Sequence, residues 1–295
     1  MVRLTWQRAC SVLMVVVFAL LLCVPWSIWF GTRVNLADAL SLPSLRHPLG
    51  TDSLGRDLLV RAAEAVLGAV LPLWLGVIVA TLAGVVLGIG MICLGTHRLW
   101  RPLIASFDAV VVVLVSVPVC LTAFAWAALS EHAGLMPVLV SLTLVFMLRT
   151  YLQVRDLYRR DATLAYWIAH AALGGSLLFR LVSYGIQTAW RRTLAMSLGF
   201  HLRTAVAIEA SLSYLGFGIQ EPSASFGNML AAHFDLFLKG QWYVLGVLIV
   251  CLAATAALPR ALLILYDARP MDATFTPEVT GKFCGLDAHF AGILD

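Results

Sequence analysis

Long apolar runs separated by short polar stretches set the pattern of this chain. A hydrocarbon core about 30 Å thick takes about 20 helical residues to cross. The runs at roughly 9–30, 68–94, 104–128, 135–152, 193–218 and 242–265 are long enough. The pattern therefore predicts an all-α polytopic membrane protein with six transmembrane helices. Three of the runs contain a proline, Pro72, Pro118 and Pro259, which a membrane helix accommodates when neighbours satisfy the freed carbonyl. Ala80, Gly84 and Gly88 recur at every fourth position of the second run. That spacing lets two helix backbones approach closely, so packing is its expected role.

Two interruptions stand out. Residues 47–57 read His-Pro-Leu-Gly-Thr-Asp-Ser-Leu-Gly-Arg-Asp, between the first two runs. Asp52 is suited to cap a helix start, because its carboxylate accepts the free N–H groups of the first turn. The helix predicted to follow places Leu54, Leu58, Ala62 and Ala65 on one face and pairs Asp57 with Arg61 four positions on. Such a helix lies along the membrane surface rather than crossing it. The second interruption, 162–190, is nearly as apolar as a span, with His170 and Arg180 as its basic residues and Gly174-Gly175 in its middle.

Charge placement decides whether 162–190 crosses. With six spans and an inner N-terminus, the inner segments hold Arg3, Arg8, Arg98, Arg101, Arg149, Arg155, Arg159, Arg160, Arg180, Arg191, Arg192, Arg260, Arg269 and Lys282, 14 of the 20 basic residues. The outer segments hold Arg33, Arg46, Arg56, Arg61 and Lys239, and Arg203 falls within a span. A crossing at 162–190 would strand Arg191 and Arg192 outside. Two glycines also weaken one continuous helix. Two short helices meeting at a glycine turn on the inner face are expected instead.

Composition agrees with this frame. Hydrophobic residues make up 61% of the 295 and charged residues 12%, against about 25% charged in soluble domains. Arg3 and Arg8 precede an apolar run that continues past Pro25-Trp26, so a retained first span is expected rather than a cleaved signal. Eighteen arginines against two lysines suggest a GC-rich genome. The six cysteines (Cys10, Cys23, Cys93, Cys120, Cys251, Cys284) show no C-x-x-C spacing and read as small apolar residues. No His pair, acidic cluster or phosphate-binding G-x-x-x-x-G-K-[ST] occurs, so neither a metal site, a catalytic centre nor a nucleotide site is expected in this chain. Nothing points to nucleic acid.

Charges inside a span are costly, about 2.5–3.5 kcal/mol each on insertion scales, and mark a path or a pair. The fifth run holds His201, Arg203 and Glu209. Arg203 and Glu209 lie about 240° apart around a helix, so they cannot pair within it. Two readings of Arg203 stand side by side, a pore-facing cation that attracts a substrate carboxylate and a charge satisfied by neighbouring helices.

Three motifs resemble one family, the second permease subunit of the peptide, opine and nickel branch of ABC importers. His47 to Asp57 is close to that family's HPLGTDxxGRD, with Gly50, Thr51, Asp52, Gly55, Arg56 and Asp57 in register. Residues 209–218, EASLSYLGFG, resemble EAALSFLGLG, and residues 222–230, PSASFGNML, resemble the P-x-P-S-W-G-x-M-L that follows. The family's inner coupling segment, E-Y-V-x-A-A-R-x-x-G, is matched at Tyr166, Ala169 and Gly174, while its acidic first position and its arginine are replaced. A proline expected before the fifth span is Gln187. An aspartate of the third span, expected six residues before Pro118, stands ten before it as Asp108.

The resemblance implies a type I ABC importer permease fold in the inner membrane of a bacterium. Its divisions would be a cytoplasmic 1–8, a first span 9–30, an external segment 31–67, a five-helix domain 68–269 with the coupling segment at about 160–190, and a cytoplasmic tail 270–295 of no assigned role. It implies a homologous second permease, two ATPase subunits that carry ATP and magnesium, an extracytoplasmic substrate-binding protein and the surrounding lipid as partners. Tyr166, Ala169, Leu173, Gly174 and Gly175 would form the contact with the ATPase. Peptides are the expected substrate, with nickel or an opine-type metallophore as the alternative. A membrane-embedded enzyme or scaffold without an ATPase is the more distant one.

Overall fold

The structure, a computed structural model, describes residues 34–130, 134–183, 190–239 and 242–267. The first apolar run, Gln187 and the tail from 270 lie outside the described residues. All regular structure within them is helical apart from one isolated bridge between Thr51 and Asp57.

Helix α1 (Leu58–Ala65) runs through a π-helical turn at Val66–Val70 into α2 (Leu71–Leu94). The three form one continuous helix from Leu58 to Leu94. At 1.5 Å per residue this is about 55 Å long, more than a hydrocarbon core requires. The separate surface helix predicted after an Asp52 cap is thus corrected: its residues from Leu58 on are the first two turns of this continuous helix. Leu54 stays in the preceding turn, half-exposed, off the helix face assigned to it.

After a 3-10 turn at Arg98–Trp100, α3 (Arg101–Ser116) and α4 (Val119–Leu129) take the place of one expected span. Pro118 breaks it, because its ring pushes the preceding residue out of the helical region. Val117 accordingly sits at φ −69°, ψ 131°. The long α5 (Leu135–Asp161) follows, then two short helices, α6 (Ala165–Ala172) and α7 (Leu177–Arg180), joined at Gly174 with φ +79°. This is the expected helix-glycine-helix. Helices α8 (Arg191–Tyr214), α9 (Phe226–Leu238) and α10 (Tyr243–Asp267), the last containing Pro259, complete the described chain.

Four helical stretches are long and apolar enough to cross a membrane among the described residues: Leu58–Leu94, Arg98–Ser116, Leu135–Asp161 and Tyr243–Leu262. The α2–α5 pair is the spine of the bundle. A Cβ on Gly84 would stand 2.4 Å from the Met147 carbonyl oxygen, and one on Gly88 2.8 Å from a Val154 methyl. The small-residue repeat is therefore where these helices touch, as expected. Leu73, Val77, Leu142, Phe146 and Ala205 fill the middle of the bundle. Leu58, Val66, Val206, Phe226 and Val244 close one end. Ile92, Leu157, Trp167, Trp190 and Leu194 close the other.

Candidate functional site

The first end is built by the 47–57 segment. Gly50 (φ +76°) and Gly55 (φ +70°) adopt left-handed backbone that favours glycine. They sit against chain as well, since a Cβ on Gly55 would fall 1.8 Å from the Asn35 carbonyl oxygen. Between them the backbone folds back, with Asp52 N–H donating to Arg56 O at 2.9 Å and Gly55 N–H to Asp52 O at 3.0 Å. The Thr51 hydroxyl donates to the Asp38 carbonyl and accepts from Ser41 N–H at 2.8 Å, which pins the preceding segment.

The cap assigned to Asp52 is corrected to Asp57, whose carboxylate accepts from Leu59 N–H at 2.8 Å and so starts α1. Its other oxygen meets His47 Nδ1 at 2.9 Å. Asp52 instead holds the turn itself. One oxygen accepts from Leu54 N–H (2.9 Å) and Arg56 N–H (2.8 Å), and the other from Arg56 Nε (2.7 Å). The expected Asp57–Arg61 pair is also absent. Arg61, 2% exposed, turns away to Glu221 at 2.6 Å and to the Pro222 carbonyl at 3.0 Å. Arg56 reaches the same carboxylate at 2.8 Å. The reason is burial: a cation taken out of water needs close partners, and Glu221 offers Arg61 a far better one than a carboxylate already committed to a helix start.

Glu221 therefore ties the first motif to the loop between the second and third, 165 positions along the chain. Burial alone would raise its pKa, but the hydrogen bond from Arg56 and the positive charges of Arg61 and Arg56 outweigh it and hold the carboxyl below its ordinary value. Burial would likewise lower the Arg56 guanidinium, and its bonds to Glu221 and Asp52 hold it above its ordinary value. His233 of α9 closes the cluster, with Nδ1 against the Met229 carbonyl at 2.7 Å and Nε2 3.9 Å from Asp52. The third motif supplies α9 with a reciprocal cap. Ser225 Oγ accepts from Gly227 and Asn228 N–H, while Asn228 Oδ1 accepts from Ser225 N–H at 3.0 Å.

Glu209, fully buried, accepts from Ser213 Oγ at 2.7 Å, and Ser213 Oγ accepts from Ile219 N–H at 2.9 Å. It shapes the turn that leads to Glu221. His201 is buried with its ring stacked on Phe146, centroids 4.5 Å apart. Arg203 is half-buried and lies over the Phe200 ring at 5.4 Å. The three residues singled out as path candidates are thus not brought together.

At the opposite end, α6 hangs on one side chain. Trp167 is buried and stacks on Trp190, whose Nε1–H donates to Asp161 at 2.7 Å. The Arg180 guanidinium also lies over the Trp167 ring at 5.5 Å. The remainder of α6 faces outward: Tyr166, Ala169 and Leu173, the last 84% exposed, lie on its open side, followed by Gly174. Gly175 is backed by His170, with no room for a Cβ. Burial and the neighbouring Asp161, which shares a hydrogen bond with it, raise the Tyr166 phenol above its ordinary pKa. Nearby, Asp108 accepts from the Tyr151 hydroxyl and pairs with Arg155 (2.5 Å) and Arg159 (2.9 Å), locking α3 to the last turns of α5.

Reading the sequence missed Glu221, His233 and Trp190. Glu221 had a signal, a lone carboxylate between two motifs, but Asp57 four positions before Arg61 offered a nearer partner. His233 and Trp190 had none at short range.

No family model matches the chain. Against curated proteins it is 32% identical over 207 residues to a protein of Brucella suis named a peptide transport system permease, and as similar to the corresponding Brucella abortus protein. That alignment covers 69% of this chain and 66% of each relative, so the chain spans just under two thirds of their length. It is 27% identical over 257 residues to a D,D-dipeptide transport system permease protein of Escherichia coli, covering 82% of this chain and 81% of that one. A di/tripeptide transport system permease protein of Pseudomonas aeruginosa is 26% identical over 246 residues. By these alignments and the motifs they enclose, the chain is similar over most of its length to proteins named as permeases of peptide transport systems.

Proposed function

We propose that this chain is the permease subunit of an ATP-driven importer of peptides in a bacterial inner membrane. It forms the membrane path with a homologous permease, takes substrate from an extracytoplasmic binding protein, and is driven by two ATPase subunits that bind ATP and magnesium. Six spans are completed by the run at 9–30 and by α8. The α6–α7 hairpin then lies inside the cell and the Glu221 cluster outside.

The observation that carries this reading is the hairpin. An interfacial helix serving only its own fold would turn its apolar face inward, yet α6 buries one large side chain and leaves Tyr166, Ile168 and Leu173 exposed. An apolar helix face of this kind suits a groove on a partner. Trp167 and Asp161 couple it to α5 and α8, so a push on the hairpin is delivered to two long helices rather than absorbed in a loop. The relatives named as peptide permeases supply the substrate class.

Co-purification tests it. A tagged chain expressed with its genomic neighbours is expected to carry a second permease and an ATPase whose hydrolysis rises with peptide-loaded binding protein. Isolation of the intact chain with no ATPase would contradict the reading.

A further inference from the structure

Among the described residues, one half-buried cation of the long helices is left over. Arg149, past the middle of α5, forms no ion pair or hydrogen bond with any described residue, and its Nε is shut off from solvent without a partner. Its neighbours in the interior are accounted for. Arg155 and Arg159 meet Asp108, Arg61 meets Glu221, Glu209 meets Ser213, and Arg203 lies on the Phe200 ring.

Arg149 lines an open cavity of about 490 Å³ together with Gln153, Asp156 and Arg160. These four fall at i, i+4, i+7 and i+11, so they form one polar stripe running from mid-helix to the C-terminal end of α5. Gln153 Nε2 donates to Ser197 Oγ on α8 at 2.6 Å, which fixes the stripe between two helices. Val115 of α3 lines the same cavity, two residues before the Val117-Pro118 break. A charged stripe of this length cannot face acyl chains. Broken helices within a membrane occur where the backbone lines a wet cavity or is covered by protein, and such breaks mark binding sites in other transporters. Stripe, cavity and break coincide here.

We propose that Arg149 binds the free C-terminal carboxylate of the peptide as it passes through this half of the membrane, with Gln153 positioning the guanidinium side of the cavity. A guanidinium without a carboxylate of its own, with its Nε buried and its cavity open for a ligand to enter, is the arrangement that recognises a carboxylate in bidentate fashion. This moves the role expected of Arg203 to another helix, and it rests on the permease reading above.

The test uses the full transporter, with both permeases, both ATPases and the binding protein, in proteoliposomes. Uptake of a mixture of neutral tripeptides is compared with uptake of the same mixture as C-terminal amides. The binding protein is common to every variant, so its own preference cancels in the ratio of free acid to amide. In Arg149→Gln this ratio is expected to fall about tenfold or more, the loss expected for one charge-assisted hydrogen bond, and in Arg149→Lys to fall less. Gln153→Glu provides a second variant should Arg149→Gln fail to assemble. Its carboxylate can accept from the Ser197 hydroxyl, reversing the wild-type bond, and neutralises Arg149 one turn away, so the ratio should fall again. A ratio unchanged from wild type in Arg149→Gln, or in Gln153→Glu where the first does not assemble, overturns the proposal while leaving the permease reading intact. Wild-type complex that imports neither mixture overturns both.

Discussion

The two ends of the bundle solve opposite problems. At the motif end, charges are drawn inward and matched: Asp52, Arg56, Arg61 and Glu221 form one chain of ion pairs that joins residues 165 positions apart. At the hairpin end, one tryptophan is drawn inward and the apolar residues around it are left outside. A region that satisfies itself has little to offer a partner. A region that leaves Leu173, Leu178 and Phe179 exposed offers the apolar surface that the proposed partner would cover. The contrast separates what holds the fold from what uses it.

Substitutions should divide along this line. The largest effect is expected from Asp52→Ala. It removes a buried carboxylate that serves two backbone N–H groups and a guanidinium, and leaves those N–H groups and the Arg56 Nε without their partner at a cost of about 4 kcal/mol. A thermal unfolding midpoint measured in detergent should drop steeply, or the protein should fail to accumulate. Trp167→Ala comes next, at about 3 kcal/mol for loss of a packed aromatic side chain. Its signature is local, with faster amide exchange in α6 and α7 and little change in α1.

Smaller effects sharpen the comparison through pH. The Glu221 carboxyl is held below its ordinary value of 4.5. It binds protons less readily folded than unfolded, so its contribution is present above about that value and is lost as pH falls through the folded pKa. Glu221 is 42% exposed, so the term is that of a solvated pair, about 0.5 kcal/mol. Unfolding midpoints measured from about pH 5 down to about pH 3 should fall, and Glu221→Gln should flatten that fall. Leu173→Ser should be smallest in stability, within about 0.5 kcal/mol as for other surface changes. It should nonetheless abolish stimulation of the ATPase in the assembled complex. Stability and coupling would then come apart at a single residue.

Much of this was legible in the sequence, and the exceptions have physical causes. Apolar run length placed α2, α5 and α10, and the glycine pair placed the α6–α7 turn, because both signals are local. The helix before residue 68 reads as separate because run length starts at the first unbroken apolar residue. The observed helix joins that run, begins at the Asp57 cap rather than at Asp52, and carries Arg61 and Glu64 inside it. Pro118 was expected to lie within a helix and instead divides α3 from α4. The choice of ion-pair partner was the least legible. A pair four apart on a helix is visible in sequence, but Arg61 prefers a carboxylate 160 positions away, and only the fold brings that one near. For the same reason Arg203 drew attention as the conspicuous charge, while Arg149, near a run's end, passed as one of several inner arginines.

The central claim is that the open end faces the cytoplasm. In a chain freed of its six native cysteines, Leu173→Cys places a thiol at the tip of α6, where 84% exposure leaves it reachable. Gly175 would not serve, because His170 fills the space its side chain needs. A membrane-impermeant maleimide should label Leu173→Cys in inside-out vesicles and not in intact spheroplasts. Labelling from outside intact spheroplasts would contradict the account and, with it, the contact with an ATPase.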